Sequence, residues 1–359
     1  MSKYINIDLK EHYYVFESIN IISKELSLGV NNLLKCIGSN CEGLERKHAS
    51  TYKIPELKIA TTGQGYVCSS GFLHCEYGIL YSQLQFEKEV VENRIKSDKN
   101  STVIYADKIV PLLRAGDHIY GHWLIDILPI VWLSKRVVNI TDYKYVVRNN
   151  IPAYAIDLLS YFDIGKENLI FIDNKTQLKF ENALYISNLR YNQILHPMIK
   201  DFAIDFKNKI LGNNERGKLQ STGNKIYLSR AEWKKENRKK VRDLLNRKEI
   251  ENYFLNKNFK VLYPEKYSFQ EQVEFFSKTK LLAGEDGSAL HNSIFMDAGT
   301  EIICLKGKKN HSLIQASLCS ALDQKISYII GDSDEEPCDR NSSYSINKKY
   351  LEIIFHNIP

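Results

Sequence analysis

A chain of 359 residues, 43% hydrophobic and 26% charged, is globular, too long for one ordinary core and sized for two α/β domains. A net charge of +6 is too small an excess for a dedicated nucleic-acid binder; it suits anionic small ligands or loose attachment to an anionic membrane face. No membrane span is expected, because the longest apolar run, 123–133, is broken by Asp126 and Pro129 and falls short of the ~20 residues a spanning helix needs.

In chain order, the first hundred residues carry few signals beyond probable strands at 57–60 and 78–85. Their N-terminus lacks a basic start followed by an apolar stretch, so no secretory signal is read and the expected location is the cytoplasm, with room for peripheral contact at the inner membrane face. Seven cysteines without a CxxC pair fit a reducing compartment, and Cys68, His74 and Cys75 lack the second pair a metal site needs. From residue 102 strands and helices alternate: strands at 102–105, 144–147, 169–172 and 183–186, helices at 120–136, 153–161 and 197–210. Residues 211–224 are polar, contain glycine and read as a linker. Beyond them come strands at 225–228, 259–263, 281–283, 301–305 and 326–330, separated by helices at 241–257, 268 onward, 288–296 and 313–322. Ser268 and Glu271 form a capping box. Strands alternating with helices of this length predict parallel sheets with helices on both faces. The expected domains are 1–210 and 225–335, with 336–359 packing back on the first.

In open α/β sheets, ligands bind beyond the carboxyl ends of strands. Three such ends present chemistry. Ser229-Arg230 offers a guanidinium suited to phosphate oxygens, and Glu265 a carboxylate for sugar or ribose hydroxyls. After the strand that ends at Gly284, Asp286-Gly287-Ser288-Ala289-Leu290 and Asn292 offer a close backbone approach and a helix start for a diphosphate. Taken alone, this last run is as well explained as an ordinary βα turn, being neither GxGxxG nor Walker A. In the first half, Gly121-His122-Trp123-Leu124-Ile125-Asp126 opens the most apolar helix. His122 and Asp126, spaced i, i+4, share one side of it. They either hydrogen-bond each other to fix a core or supply a general base, Asp126 first and His122 second. Arg114 and His118 lie in the loop before and are candidates for the acceptor side. The basic run 234–240 reads as a solvated face.

The order KIYLSR, NRKEI, PEKYSFQEQ, LLAGEDGSALHNSIF, together with GHWLIDILP, resembles glycosyltransferase family 61 over roughly residues 110–305. That family includes plant β-1,2-xylosyltransferases and many bacterial proteins of capsule or lipopolysaccharide clusters. The resemblance implies a GT-B-like α/β fold, two Rossmann-like domains facing across a cleft, with 1–210 on the acceptor side and 225–335 binding the nucleotide-sugar. It also implies an inverting sugar transfer from a nucleotide-sugar donor, with UDP the first carrier to test, to a hydroxyl of a bacterial surface glycan or a lipid-linked glycan. Ser229-Arg230 stands at the family's Ser-Arg, and Arg242 with Asn246 fits a second basic pattern. Asp243 and Arg247 stand where Arg and Glu are usual, and Asp286 replaces a frequent His. These departures leave open an alternative, a non-catalytic glycan- or partner-binding protein on the same frame. No metal site, no cofactor and no nucleic-acid partner are expected; the sugar, linkage and oligomeric state are not legible.

Overall fold

The computed structural model describes residues 16–23, 25–75, 78–80, 102–137, 140–212, 224–232 and 242–356. The expected linker lies largely outside the described residues, as does the basic run 234–240. The chain forms two compact units. One holds the described residues up to Leu26 with Lys53–Asn192, the other Ser27–Tyr52 with the described residues from Gln193 onward.

In the first unit, nine strands make one mixed sheet. Strands Leu169–Ile172, Lys144–Arg148, Thr102–Pro111 and Thr176–Ile186 run parallel in that order. The eleven-residue strand Thr176–Ile186 then pairs antiparallel with Gly65–Cys68 along its first half and with Leu57–Thr62 along its second. Leu73–Cys75 and Gly78–Leu80 continue one branch, and Phe16–Ser23 the other. A second fully parallel Rossmann-like sheet is therefore not what this half forms: the early strands return as antiparallel neighbours.

The apolar helix of this unit runs as Tyr120–His122, a π-helical turn Trp123–Ile127, and Leu128–Val137. The N–H of Leu128 reaches back to the carbonyl of Trp123, one residue further than in an α-helix. Pro129, which lacks an N–H and would collide with a carbonyl four residues earlier, accounts for the widening. Residues Trp123, Leu124, Ile127, Leu128 and Val131 are fully buried, as expected of a helix that is apolar on every side.

The second unit is built on six parallel strands in the order Lys260–Leu262, Asn224–Leu228, Thr279–Glu285, Glu301–Gly307, Lys325–Gly331, Leu33–Gly38. Counted from Asn224, the first five follow the order 2-1-3-4-5 of a doubly wound sheet, whose switch point lies between Asn224–Leu228 and Thr279–Glu285. Buried Tyr227, Ala283, Ile303, Leu305 and Ile329 form the core on one side of this sheet. Leu351 and Ile354, from helix Lys348–Phe355, join the same core, so this helix packs within the second unit. Two further segments expected in the first domain also belong here. They are strand Leu33–Gly38 with helix Cys41–His48, and helix Ile199–Leu211, whose Phe206 packs against Phe269 and Phe295. The Ser268 capping box forms as expected: Ser268 Oγ accepts from the Glu271 N–H at 3.3 Å and the Ser268 N–H donates to Glu271 at 2.8 Å.

Candidate active site

At the switch point, Leu228 pairs with both Leu262 and Gly284, so Ser229-Arg230 and Glu285-Asp286-Gly287 leave neighbouring strands side by side. Gly284 permits this closeness: a Cβ there would stand 3.0 Å from Leu228 Cβ and 3.2 Å from Leu290. Gly287 has φ +156°, strained for any other residue, and the atom nearest its missing side chain is Arg230 Nη1, 3.9 Å away. The guanidinium and the glycine turn are thus brought together, as the sequence predicts. The following Ser288–Phe295 is a 3₁₀-helix, with Leu290 and Asn292 buried and Ser288 and Ala289 half-buried. Leu290 and Asn292 lie in the core, Asn292 donating to Gln272 Oε1 at 3.4 Å.

Beneath this turn lies an ion-pair network. Asp286 accepts from Arg242 Nη1 at 3.0 Å and Asn310 Nδ2 at 2.7 Å, and its other oxygen is 3.6 Å from Lys306 Nζ. Burial alone would raise its pKa. The Lys306 and Arg242 charges and the Asn310 hydrogen bond instead bring it down to about 2. Both of its oxygens are thus engaged, one by Arg242 and Asn310 and the other beside Lys306. Arg242 itself adopts φ +48°, with its N–H donating to Asn341. Buried Glu285 is gripped by Arg247 through two hydrogen bonds of 2.8 and 3.0 Å, and Arg247 also reaches Asp243 at 2.7 Å. The pair that departs from the family pattern, Asp243 and Arg247, is therefore structurally joined. Ser229 is also interior: its hydroxyl donates to the Glu251 carboxylate and accepts from the Ala231 N–H. Glu265 sits exposed on the turn Pro264–Lys266.

The first unit carries a second constellation. The Asp126 side chain is 0% exposed and His122 is 28% exposed. Arg190, on strand Arg190–Tyr191, grips the Asp126 carboxylate with Nε at 2.7 Å and Nη2 at 2.6 Å, and His122 Nδ1 lies 2.5 Å from the same group. A carboxylate can only accept, so Nδ1 carries the proton and Nε2 the lone pair. Burial would raise the Asp126 pKa, but the Arg190 charge and hydrogen bonds from His122 and Arg190 hold it well below the usual carboxylate range. The Asp126 carboxylate is thus buried and paired on both oxygens, and of the two residues expected as a base His122 is the one with partial exposure. Gly116, at φ +88°, lies against the imidazole, where a Cβ would come within 2.5 Å of His122 Cδ2. Arg114 is buried, its Nε donating to Asn188 at 3.3 Å, and its carbonyl accepts from Arg148 at 2.9 Å. These bonds tie it to the strand and loop around it. His118 remains exposed.

Sequence reasoning missed Arg190, Glu285, Lys306 and Asn310. Only Glu285 carried a signal, being inside the turn motif but read as lying beyond a strand that in fact runs to it.

Residues 120–303, just over half of the chain, match the family described as glycosyltransferase 61. The chain belongs to glycosyltransferase family 61. It is a glycosyltransferase, and the match takes in the His122–Asp126 helix, Arg190 and the strand ends that bear Arg230 and Gly287. No curated protein matches the sequence. Among the described residues of this glycosyltransferase, no helix is long and apolar enough to cross a membrane.

Proposed function

We propose that this glycosyltransferase moves a sugar from a nucleoside-diphosphate donor, UDP-linked in the first instance, to a hydroxyl of a bacterial surface glycan or its lipid-linked precursor, with inversion. The observation that carries the reading is the approach of Arg230 to the Gly287 backbone at the switch point of the second unit. A guanidinium beside a glycine turn that opens a helix suits a diphosphate by charge and by its N–H donors. In the proposed reaction, an acceptor oxygen attacks the anomeric carbon as it gives up its proton, and the bond from that carbon to the diphosphate oxygen breaks. Within the first unit His122 Nε2 is the base proposed for that proton, and within the second unit Arg230 with the turn amides is the group proposed to receive the leaving charge. Asp126 fixes the His122 tautomer and stabilises the imidazolium that forms. These charges suffice for the leaving group, so the proposed transfer is metal-independent.

The test is thermal unfolding with millimolar UDP, GDP or CMP, without and with Arg230→Ala. One nucleotide is expected to raise the melting temperature of the parent protein and to lose its effect in the variant. An undiminished shift in Arg230→Ala would remove the diphosphate site from this position.

A further inference from the structure

Parallel strands are ordinarily covered on both faces. In the first unit, Thr102–Pro111 and Thr176–Ile186 are adjacent, parallel and interior to the sheet, yet their first halves depart from that rule. Their later residues, 109–111 and 183–186, are buried throughout. Before that point exposure alternates: Val103, Tyr105, Asp107, Lys179 and Glu181 are exposed, while Leu178 and Phe180 between them are buried. One face of the middle of the sheet is thus open, with Tyr105 76% and Val103 46% exposed. A groove of about 660 Å³ runs along it.

The chemistry of this face selects its occupant. Tyr105 and Lys179 are cross-strand partners, with Lys179 Nζ 5.8 Å from the ring centroid, and Lys179 pairs onward with Tyr66. Two strand spacings, about 10 Å, separate Tyr105 from Tyr66, the reach of a disaccharide rather than a single sugar. In the next row Asp107 and Glu181 stand on adjacent strands, between the pairs Ala106–Phe180 and Lys108–Asn182, and Gln64 Nε2 donates to Glu181 at 2.5 Å. Two like charges on neighbouring strands oppose sheet formation. A covering apolar helix would take both carboxylates out of water, a cost that the Gln64 hydrogen bond to Glu181 offsets only in part. Single-stranded nucleic acid or an acidic polymer would meet their negative charge, although the aromatic ring alone would suit a base. A neutral glycan meets every requirement: its C–H face stacks on the Tyr105 ring, its hydroxyls donate to Asp107 and Glu181, and its ring and hydroxyl oxygens accept from Lys179.

We propose that this open face of the first unit is a glycan-binding surface, separate from the His122 constellation, that holds a neutral oligosaccharide chain. The family assignment enters only in the choice of a glycan as ligand, and the test needs no turnover. Cellohexaose, chitohexaose and isomaltohexaose are each added, without nucleotide, and followed by saturation-transfer NMR and titration. At least one is expected to bind saturably. Binding should weaken roughly tenfold in Tyr105→Ala, which touches no core contact, and persist in Tyr105→Phe, which keeps the ring. Glu181→Ala should weaken it too, and His122→Ala should leave it intact, so loss of the proposed base and loss of this surface are read separately. Three results would overturn the proposal: none of the three sugars binds, Tyr105→Ala binds as tightly as the parent, or Tyr105→Ala abolishes instead a dimer or an affinity for oligothymidylate.

Discussion

Replacing Arg190 by leucine tests the His122 constellation without knowledge of any substrate. The substitution leaves the Asp126 carboxylate, 0% exposed, with His122 as its remaining partner and removes two hydrogen bonds of 2.6 and 2.7 Å. Removing one member of a buried ion pair costs about 3–5 kcal/mol, or a fall of roughly 6–20 °C in melting temperature for a unit of this size. The sign of the pH dependence follows from the depressed Asp126 pKa. In the parent protein, the stabilisation is fully present above the unfolded value of about 3.9 and is lost only as pH falls through the still lower folded value. In Arg190→Leu, burial acts without its counter-charge, so the carboxyl takes up a proton on folding in mild acid. The difference between the two proteins should therefore be largest near neutrality and narrow towards pH of about 4. Urea unfolding followed by tryptophan fluorescence reads this, since Trp123 and Trp132 lie in the same helix and unit as Asp126. The double variant Arg190→Leu with Asp126→Leu should recover most of the loss, because an apolar pair of similar volume replaces a buried ion pair at little cost. A loss below about 1 kcal/mol, or one unchanged by pH, would show that Asp126 is not a buried, Arg190-held carboxylate.

Four further outcomes are expected. His122→Ala should lower turnover by roughly 10²–10⁴-fold while nucleotide-induced stabilisation is kept, and an undiminished rate would exclude His122 as the base. Gly116→Ala should depress turnover with the nucleotide effect unaltered, since its methyl group would displace the imidazole from Asp126; a rate equal to the parent's would show that the loop does not set the ring. Arg247→Ala should destabilise the second unit by several kcal/mol through the buried Glu285 left behind, and denaturant titration showing no change would contradict the network at the switch point. Once an acceptor is in hand, a chelator such as EDTA should leave turnover unchanged, and activity restored only by added divalent metal would refute the proposed metal-independent leaving step.

What could be read from the sequence was local in character. From residue 224 onward strands alternate with helices, which made a parallel sheet legible, while the 2-1-3-4-5 order came from the structure, since the same alternation also fits 3-2-1-4-5. Leu33–Gly38 had no such legibility. It is an edge strand whose identity comes from Lys325–Gly331, almost three hundred residues away, and its own run, LLKCIG, has neither clean alternation nor a flanking helix period. The mixed sheet of the first unit failed for the same reason: Thr176–Ile186 gathers antiparallel partners from the first hundred residues, and nothing local specifies them. Pro129, by contrast, stood in plain view, and the π-helical turn before it is what a proline demands when tertiary packing keeps the helix continuous.

The site divides along the same line, and the division explains why two of its carboxylates have partners that spacing does not show. Backbone-determined features, the glycine turn and the arginine at a neighbouring strand end, were legible because strand order alone brings them together. Side-chain partnerships were not: Arg190 lies 64 positions from Asp126, and Arg247 lies 38 from Glu285. An aspartate after a strand looks the same in sequence whether it addresses a ligand or a buried lysine, and the decision rests on Lys306, twenty residues on and fully buried. The same logic applies to Asp126, which sequence spacing presents as an acid beside a histidine and which only a distant guanidinium turns into a fixed anion. A buried carboxylate with committed oxygens cannot accept a proton from substrate without unfavourably stranding its cation. On the proposed reading the chemistry therefore passes to the neighbour it orients, which in its neutral form combines a lone pair at Nε2 with partial exposure.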